Sequence, residues 1–460
     1  MKRGILVVLL VSAACAVLYG YVMTRQERVY RQLVVQGEGA LARGDTAAAV
    51  VAFSNAIRSK PEAMLGYLKR GDAHRRGGDL ELAALDLDRA TTLDPAAPRA
   101  FELRGDVEGL RGRHDRAAVQ YAASVKLDDR PSVLYKLGLS HHLSGNTADA
   151  YEALAKAVAA DSRLAEAHYL LGVCLRELDR NEEAEEALTR AISLSPGLSA
   201  AREQLSELYA ASGRRMARIA ELERLLALDG GPARQVSLAV AYATAGQTPK
   251  AIRLLRSTTE VYPGYAGAYL ALGRIWRDAA EGDGGRDAWS RSVAAYEKAV
   301  ALEPSGTALS ELARVRLSVL GPAAAERDLQ RAAAALPADA SVFLLIAEGA
   351  GRAGDAQAER RALVEYQALT GEHPRQTQMD QRIGDLSIRL GEPHVAAGWY
   401  TRAAGTSRTP APLLVKAAEA ALLAGDHASA RSAVQAALAR DPGLAAARAL
   451  QRRLEATLSQ

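Results

Sequence analysis

Small and apolar residues repeat along the chain with a constant step, and polar turns separate the repeats. Turn glycines lie at Gly44, Gly78, Gly112 and Gly145, which are 33 or 34 residues apart. The same step separates Gly213 from Gly246 and Gly391 from Gly425. After most of these turns, two alanines, a bulky residue and often a proline follow at fixed distances, as they do after Gly44: Ala49, Phe53, Ala56 and Pro61. A period of this length is typical of helical-repeat proteins.

The spacing predicts pairs of antiparallel helices. A glycine in the left-handed conformation ends the first helix of each pair, and the chain then reverses into the second helix. Small residues on both helices let the two backbones approach closely, and bulky residues fill the space beside that contact. We expect these small residues to form the contacts within the pairs: Gly37, Ala49, Gly71, Ala83, Gly105, Ala117, Gly138, Ala150, Gly172, Ala184, Ala251, Gly273, Ala325, Ala396 and Ala430. Each pair leaves an apolar face that a neighbouring pair covers.

The repeated residues resemble the tetratricopeptide repeat, whose pattern is W-x2-L-G-x2-Y, then A-x3-F-x2-A, then P. The segment 165–198 matches this pattern at six positions: Leu171, Gly172, Ala184, Leu188, Ala191 and Pro196. About twelve such units follow one another over residues 30–444, so the resemblance covers roughly nine-tenths of the chain. It implies an all-α fold, a right-handed superhelical solenoid of about twelve antiparallel helix pairs.

Two units have another residue at the alanine position, Arg218 and Glu359, and two longer stretches also depart from the regular units. The unit 266–306 carries about seven extra residues around positions 279–291, and we expect them to form a longer turn between its two helices. Beyond residue 444, a stripe of leucines lies opposite arginines: Leu450, Leu454 and Leu458 against Arg452 and Arg453. This stripe predicts a C-terminal capping helix over residues 445–460 with one solvent-exposed face.

The N-terminal residues have a different character. Residues 1–3 form a short basic tail, residues 4–24 contain no charged side chain, and residues 25–29 are predicted to be a juxtamembrane linker. At about 1.5 Å per residue, a helix over 4–24 spans roughly 30 Å, the thickness of the hydrocarbon layer. Tyr19 and Tyr21 fall near one end of it, where aromatic rings favour the interface. We therefore expect a transmembrane or signal-anchor helix.

Two other interpretations of this segment stay open. The tripeptide at 14–16 is typical of a signal-peptidase cleavage site that follows a basic start and a short apolar core. Cys15 follows small residues, as a lipid-modified cysteine would, but the chain stays apolar after it. The basic start favours a single pass through a bacterial inner membrane with the repeats on the extracytoplasmic, periplasmic side, although basic residues flank both ends of the segment.

Charge and composition exclude several classes of function. The net charge is +4, and residues 1–29 carry +3 of it, so the rest of the chain lacks the basic surface that binds nucleic acid. The two cysteines, Cys15 and Cys174, form no CxxC pair for a metal and no disulfide framework. The chain contains no GxxxxGK, GxSxG or HExxH motif. We therefore expect no enzymatic activity, no cofactor, no metal and no nucleic-acid partner.

The resemblance implies a groove for protein partners. In the tetratricopeptide family, positions 2, 5, 9, 12 and 13 of each unit line a concave groove formed by the first helices, and these are called the groove positions below. Mapped onto this chain, they give the candidate partner-binding residues: Leu68, Arg75, Tyr135, Tyr169, Arg176, Val236, Leu270, Arg274, Arg277, Arg314 and Leu344. Arg274, Arg277 and Arg314 form a cationic cluster that would suit an acidic segment. Tyrosine at position 5 is also common in the family as a packing residue.

These observations favour a non-enzymatic, membrane-tethered scaffold for protein–protein interaction that serves assembly, secretion or maturation of bacterial cell-envelope components. Its partners would be proteins or extended peptides in the groove, and residues 4–24 would bind the membrane. One alternative is an accessory or regulatory subunit of a membrane or envelope enzyme, such as a glycosyltransferase or a peptidase. A weaker alternative is an RNA-binding helical-repeat protein, which needs a basic groove and a 35-residue period that this chain lacks.

Overall fold

The computed structural model is helical throughout its described part. It describes the backbone of residues 2–282, 285–335, 340–371 and 375–458, and the side chains of the same ranges except 2–14, 457 and 458. These residues form 25 α-helices and no strand. Residues 1–228 make one compact unit with twelve helices: α1 (Lys2–Ala42), α2 (Thr46–Ser59), α3 (Met64–Gly77), α4 (Leu80–Leu93), α5 (Pro98–Leu110), α6 (His114–Leu127), α7 (Pro131–Leu143), α8 (Thr147–Ala160), α9 (Ala165–Glu177), α10 (Asn181–Leu194), α11 (Ser199–Ala211) and α12 (Arg215–Leu228).

Residues 229–460 make a second compact unit. Its helices are α13 (Pro232–Thr244), α14 (Thr248–Val261), α15 (Ala266–Glu281), α16 (Gly285–Leu302), α17 (Gly306–Val319), α18 (Pro322–Ala334), α19 (Ser341–Ala353), α20 (Ala356–Thr370), α21 (Gln376–Arg389), α22 (Pro393–Thr406), α23 (Pro410–Leu423), α24 (His427–Arg440) and α25 (Ala445–Leu458). Within each unit, consecutive helices pair across short turns, and each second helix also packs on the first helix of the next pair. The predicted all-α helix-pair architecture is therefore confirmed.

The predicted turn glycines adopt the left-handed backbone conformation. Gly44, Gly145 and Gly425, for example, have φ angles of 78°, 81° and 76°. Asp179 occupies the same place between α9 and α10, with a φ of 58°. Aspartate tolerates this conformation better than most residues because its short polar side chain bonds locally. The chain thus reverses in the same way in a unit that has no glycine at this position.

Glycines on the first helices lie directly against large side chains of the second helices. A Cβ on Gly71, Gly138 or Gly172 would lie 2.5–2.8 Å from the Cγ of the leucine opposite, which is Leu87, Leu154 or Leu188. Other glycines face aromatic rings: Gly37 faces Phe53, Gly105 faces Tyr121, Gly273 faces Tyr296 and Gly384 faces Tyr400. Any side chain at these glycines would push the paired helices apart. Gly384 was missed in the sequence, although it occupies the same position of its unit as the others.

The alanines of the second helices are buried in the pairs. Each has no exposed surface: Ala49, Ala83, Ala117, Ala150, Ala184, Ala251, Ala325, Ala396 and Ala430. A larger residue at any of them would have no free space to occupy, because buried positions are close-packed.

The extra residues of the unit 266–306 lengthen helices, whereas the sequence predicted a longer turn. Helix α15 extends to Glu281 and has 16 residues, and α16 starts at Gly285 and has 18 residues, compared with 13 residues in α13 and 14 in α14. Residues 283 and 284 lie outside the described residues. The alanines at 279 and 280 favour helix strongly enough to continue α15 toward the glycines that follow.

Helix α1 runs without a break from Lys2 to Ala42. Residues 25–29, predicted as a linker, are therefore helical and continuous with the first helix of the first pair. Side chains 15–25 of α1 are all exposed. Within the residues whose side chains the structure describes, no helix is long and apolar enough to cross a membrane. Residues 4–14 of the predicted anchor lie outside that set, so this finding covers only part of the segment.

Helix α25 ends the second unit. Leu450 and Leu454 are 4% exposed and join a core cluster with residues of α23 and α24. Arg452 and Arg453 are exposed on the opposite side of α25. Leu458, the third residue of the predicted stripe, has no described side chain. The last helix thus covers an apolar face of the preceding pair and turns charged residues to solvent.

Candidate partner-binding groove

The first helices of two successive pairs enclose a cavity, called the α13–α15 cavity. Its volume is about 380 Å³, and three predicted groove residues meet there: Val236 of α13 with Leu270 and Arg274 of α15. The rest of the lining comes largely from groove positions of the same two units: Val240, Ala243, Thr244, Thr248, Gly267, Ala271, Ile275, Asp278 and Ala279. Of the α13 residues only Val236, at position 5, was predicted to line the groove, but the repeat register also assigns Val240, Ala243 and Thr244 to groove positions.

The walls of the α13–α15 cavity are aliphatic and its rim carries charge. Ala271 and Ile275 are 8% and 5% exposed, and Val236 packs on the same core cluster. Arg274 is exposed, and it has no ion-pair partner among the described residues. Asp278, the carboxylate on the lining, accepts hydrogen bonds of 3.1 and 2.9 Å from Arg277. The cavity therefore combines apolar walls with one available cation.

The predicted cationic cluster of Arg274, Arg277 and Arg314 is not a uniform patch. Arg277 is held by two carboxylates, Asp278 and Glu311, and lies 3.9 Å from a third, Glu281. Arg314 is half-buried, and its Nε is shielded from solvent. Sequence spacing placed these arginines together, but it gave no information on the carboxylates that each would meet. Of these three arginines, only Arg274 has an exposed side chain that pairs with no carboxylate among the described residues.

A second cavity, the α19–α21 cavity, has a volume of about 850 Å³. Leu344 lines it with Leu363, Tyr366 and Met379. Four further lining residues form two ion pairs: Glu348 with Arg352 at 2.5 Å, and Glu359 with Arg382 at 2.7 Å. Glu359 occupies the position of the repeat alanine and is 7% exposed. These four charged residues are thus already paired with one another within the cavity.

Groove positions of α3 to α7 carry a different set of side chains, called the α3–α7 charge network. On α3, Asp72 pairs with Arg75 at 2.6 Å and with Arg76 at 3.0 Å. Asp72 is 8% exposed, so the two arginines cover it almost completely. Arg75, predicted to meet a partner, is therefore already engaged within its own helix.

The α3–α7 charge network continues around Glu102 of α5, which is 4% exposed. Its carboxylate pairs with Arg99 at 2.7 Å, Arg130 at 2.7 Å and Lys136 at 2.9 Å. Burial opposes ionisation of Glu102, but the hydrogen bonds from these three cations outweigh it and lower the pKa of the carboxyl to about 2. Glu102 is thus ionised and fully paired at neutral pH.

Asp106, the next groove residue of α5, joins two other helices. It accepts hydrogen bonds from the Tyr121 hydroxyl of α6 at 2.8 Å and from Lys136 of α7 at 2.7 Å. The same arrangement recurs in the second unit, where Asp385 of α21 accepts from Tyr400 at 2.7 Å and from Lys416 at 2.9 Å. Burial raises the pKa of both tyrosine hydroxyls, so each keeps its proton and donates. These side chains connect three successive helices.

The predicted tyrosines and two other groove candidates have separate surroundings. Tyr135 and Tyr169 are half-buried against the core of α7 to α11, and burial, then Glu166 and Tyr169, raise the pKa of Tyr135. The two rings are therefore neighbours on successive first helices.

Arg176 of α9 pairs with Glu207 of α11 at 2.5 Å. Leu68 is 8% exposed in the core of α3 to α5, so it offers little surface to a partner.

The buried cysteine has the surroundings of a core residue. Cys174 has no exposed surface, and burial raises the pKa of its thiol to about 12. Its Sγ lies 3.9 Å from Nδ1 of His142, which is 3.6 Å from Glu177. A thiol needs a lowered pKa to act as a nucleophile, so this arrangement does not activate it. The described residues contain no group of three or more histidine, cysteine or acidic side chains positioned for a metal.

Comparisons with known proteins agree with the repeat pattern. The family model for the tetratricopeptide repeat matches residues 34–98, 68–133 and 135–199. Human tetratricopeptide repeat protein 36 is 35% identical over 101 residues, which cover 21% of this chain and 53% of that protein. The small glutamine-rich tetratricopeptide repeat-containing protein 2 of Mycosarcoma maydis is 29% identical over 134 residues, which cover 28% of this chain and 38% of that protein. The chain thus spans about half or less of the length of these relatives.

Parts of the chain are also similar to solved structures. The TPR protein YrrB is 22% identical, with a TM-score of 0.37, and the match covers 39% of this chain and 93% of that structure. A tetratricopeptide repeat protein from Parabacteroides merdae is 16% identical, with a TM-score of 0.36, and covers 63% of this chain and 99% of that structure. Tetratricopeptide repeats bind protein or peptide partners and in general form non-catalytic interaction scaffolds. Residues 34–133 and 135–199 of this chain are therefore similar to tetratricopeptide repeats.

Proposed function

We propose that this protein is a membrane-tethered, non-catalytic scaffold that binds protein partners in the groove of its first helices. In this role it serves assembly, secretion or maturation of bacterial cell-envelope components. The similarity of residues 34–133 and 135–199 to tetratricopeptide repeats supports the protein-binding part of the proposal. The membrane and envelope parts rest on the apolar N-terminal residues.

The observation that carries the proposal is the lining of the α13–α15 cavity. Eight of its twelve lining residues occupy groove positions, and they come from two successive first helices. A row of repeats places the same positions side by side, so a partner that lies along the row meets one such set after another. Concave, mostly apolar sites with a few polar groups are typical of binding sites.

The tether rests on helix α1. Its exposed side chains include Val17, Leu18, Tyr19, Tyr21 and Val22, each at least 49% exposed. An exposed apolar surface of this kind needs a partner or a lipid phase. Residues 4–24 form the inner-membrane segment of the proposal, with the repeats on the periplasmic side.

Site-specific photo-crosslinking in a bacterial host tests the groove. Benzoylphenylalanine at Leu270 or Leu344 should yield crosslinked protein adducts, because these residues line cavities on the first helices. Arg256 of α14 and Arg361 of α20 are exposed on second helices and serve as matched positions without a cavity lining. Equal adducts at all four positions, or none at the groove positions, would contradict the proposal.

Membrane fractionation tests the tether separately. The full chain should stay in the membrane pellet through carbonate extraction, and mass spectrometry should find residues 4–24 retained in the mature protein. A chain that carbonate releases, or one that begins after residue 16, would contradict the membrane part and leave the groove part standing.

A further inference from the structure

We propose that the α13–α15 cavity binds an extended acidic segment of a partner protein. One aliphatic or aromatic side chain of that segment enters the cavity, and a neighbouring aspartate or glutamate carboxylate pairs with Arg274. The inference rests on the proposed function and names the chemistry of the occupant of the groove.

The shape of the cavity suits a single apolar side chain with adjacent backbone. Its walls are the aliphatic side chains of Val236, Val240 and Leu270, and small residues leave the space open: Ala243, Gly267 and Ala271. A Cβ on Gly267 would lie 3.0 Å from the ring of Tyr265, so this glycine keeps the wall thin. At about 380 Å³, the cavity lies at the small end of the range for ligand sites, roughly 300–1,000 Å³.

The charge at the rim selects an anion. Arg274 is exposed and has no carboxylate partner among the described residues, and the nearby Asp278 is occupied by Arg277. Burial, followed by Glu311, raises the pKa of the neighbouring Tyr296 hydroxyl, so this group stays neutral and leaves the charge of Arg274 uncompensated. A guanidinium presents a planar pair of donors that match a carboxylate, which makes an acidic side chain the complementary group.

Two other charged groove surfaces among the described residues, the α3–α7 charge network and the α19–α21 cavity, lack an unpaired cation of this kind. In the α3–α7 charge network, Asp72, Glu102 and Asp106 already hold the surrounding cations. In the α19–α21 cavity, Arg352 and Arg382 each pair with a glutamate. An ion pair that must be broken before a partner binds contributes little net affinity. The free charge and the apolar walls occur together at the α13–α15 cavity.

A displayed library of random linear dodecapeptides tests the inference on the full chain in detergent. The wild-type protein should enrich peptides in which an aliphatic or aromatic residue lies within two positions of an aspartate or glutamate. Binding of an enriched, fluorescein-labelled peptide should weaken as salt is raised, because the carboxylate–guanidinium contact lies at an exposed rim.

Two variants locate the site, each with a matched control. Arg274→Glu should weaken the labelled peptide by about tenfold or more, whereas Arg256→Glu, the same charge reversal on α14, should change its affinity by less than about twofold. Thr244→Trp should fill the cavity from its exposed rim and also abolish binding, whereas Ser257→Trp on the exposed face of α14 should not.

Three outcomes would overturn the inference. These are enriched peptides without acidic residues, unchanged affinity of the labelled peptide for Arg274→Glu, and no enriched peptide at all. Each is distinct from a failure of the proposed function, because crosslinking from Leu270 and Leu344 in cells would still report a partner in the groove. If those crosslinks also fail, the proposed function falls with the inference.

Discussion

The α3–α7 charge network and the α13–α15 cavity occupy the same repeat positions and differ in what their charges do. In the network, carboxylates such as Glu102 and Asp106 are surrounded by cations from neighbouring helices. At the cavity, Arg274 meets no carboxylate among the described residues. Both surfaces contain several charged residues, so a count of charges does not separate them.

The difference teaches that pairing, rather than charge, decides which part of a repeat surface is available to a partner. A buried carboxylate with three cation neighbours stabilises its own helices and resists exchange with an outside group. An exposed guanidinium with no partner has no such interaction to lose. If the proposed binding site is correct, stabilising and binding roles are divided between different repeats of one chain.

The largest expected effect concerns the packing beneath the two surfaces. Gly105 of α5 faces the ring of Tyr121, and a Cβ would lie 2.6 Å from it, whereas Ala239 of α13 lies in a core cluster with Leu255. We expect Gly105→Leu to lower the free energy of unfolding by about 3 kcal/mol through overpacking. Ala239→Gly should lower it by about 1 kcal/mol through helix propensity. Urea unfolding followed by circular dichroism measures both.

Gly197→Leu is the control for the size change, because Gly197 has no neighbour within 4 Å. A loss for Gly197→Leu as large as that for Gly105→Leu would show that the close contact with Tyr121 is not the cause.

The next effect separates paired from unpaired charge. Glu102→Gln should lower the free energy of unfolding by about 1–3 kcal/mol, because Arg99, Arg130 and Lys136 lose their common carboxylate. Arg274→Gln should change it by less than about 0.5 kcal/mol, as an exposed substitution without a partner does. Hydrogen exchange of α5 and α15 reports each change locally. Equal effects at the two sites would remove the distinction between them.

The pH dependence of stability follows from the same carboxylate. Its pKa in the folded chain is about 2, below the ordinary value of 4.5, so Glu102 stabilises the fold fully above about pH 4.5. This stabilisation is lost as the pH falls from 4.5 toward 2. The difference in unfolding free energy between wild type and Glu102→Gln should therefore be constant from pH 5 to 7 and shrink at pH 3. A difference that grows on acidification would contradict the assignment.

The smallest expected effect concerns the aromatic part of the groove. Tyr135→Ala combined with Tyr169→Ala should reduce partner binding by about fivefold, near 1 kcal/mol, because half-buried aromatic rings contribute area to an interface. Pulldown of the crosslinked partner measures the change, and circular dichroism checks that helicity is intact. Tyr151→Ala, on a second helix under Arg180, is the control. Unchanged binding in the double variant would remove these tyrosines from the groove.

Local patterns predicted the helix pairs well, because their causes lie within one repeat. The turn at Gly44 needs a residue that adopts the left-handed conformation, and the contact at Gly172 needs a small residue. Glycine therefore recurs at both positions with the spacing of the repeat. The longer helices α15 and α16 were predicted as a turn because glycines and acidic residues are typical of turns. The helical preference of the adjacent alanines, together with packing, extended the helices instead.

The availability of the groove residues could not be predicted in the same way. Glu102 meets Arg130 and Lys136, which lie 28 and 34 residues away, and their approach depends on how one pair stacks on the next. Arg274 and Arg277 are three residues apart, yet only Arg277 faces Glu311 of the next first helix. The sequence thus predicts which positions share a surface, while the contacts between repeats decide which of them are free.

Because helix α1 is unbroken, it fixes the angle about its axis between its exposed apolar residues and the first helix pair. An α-helix turns by about 100° per residue, so the exposed apolar residues near Tyr21 and the contacts of the first pair keep a set angle about one axis. One alanine inserted near residue 26 would turn the first pair by about a quarter of a circle or slightly more, whereas seven inserted residues would restore the angle to within about 20°. The angle between these apolar residues and the first helix pair is therefore set by the number of α1 residues that lie between them.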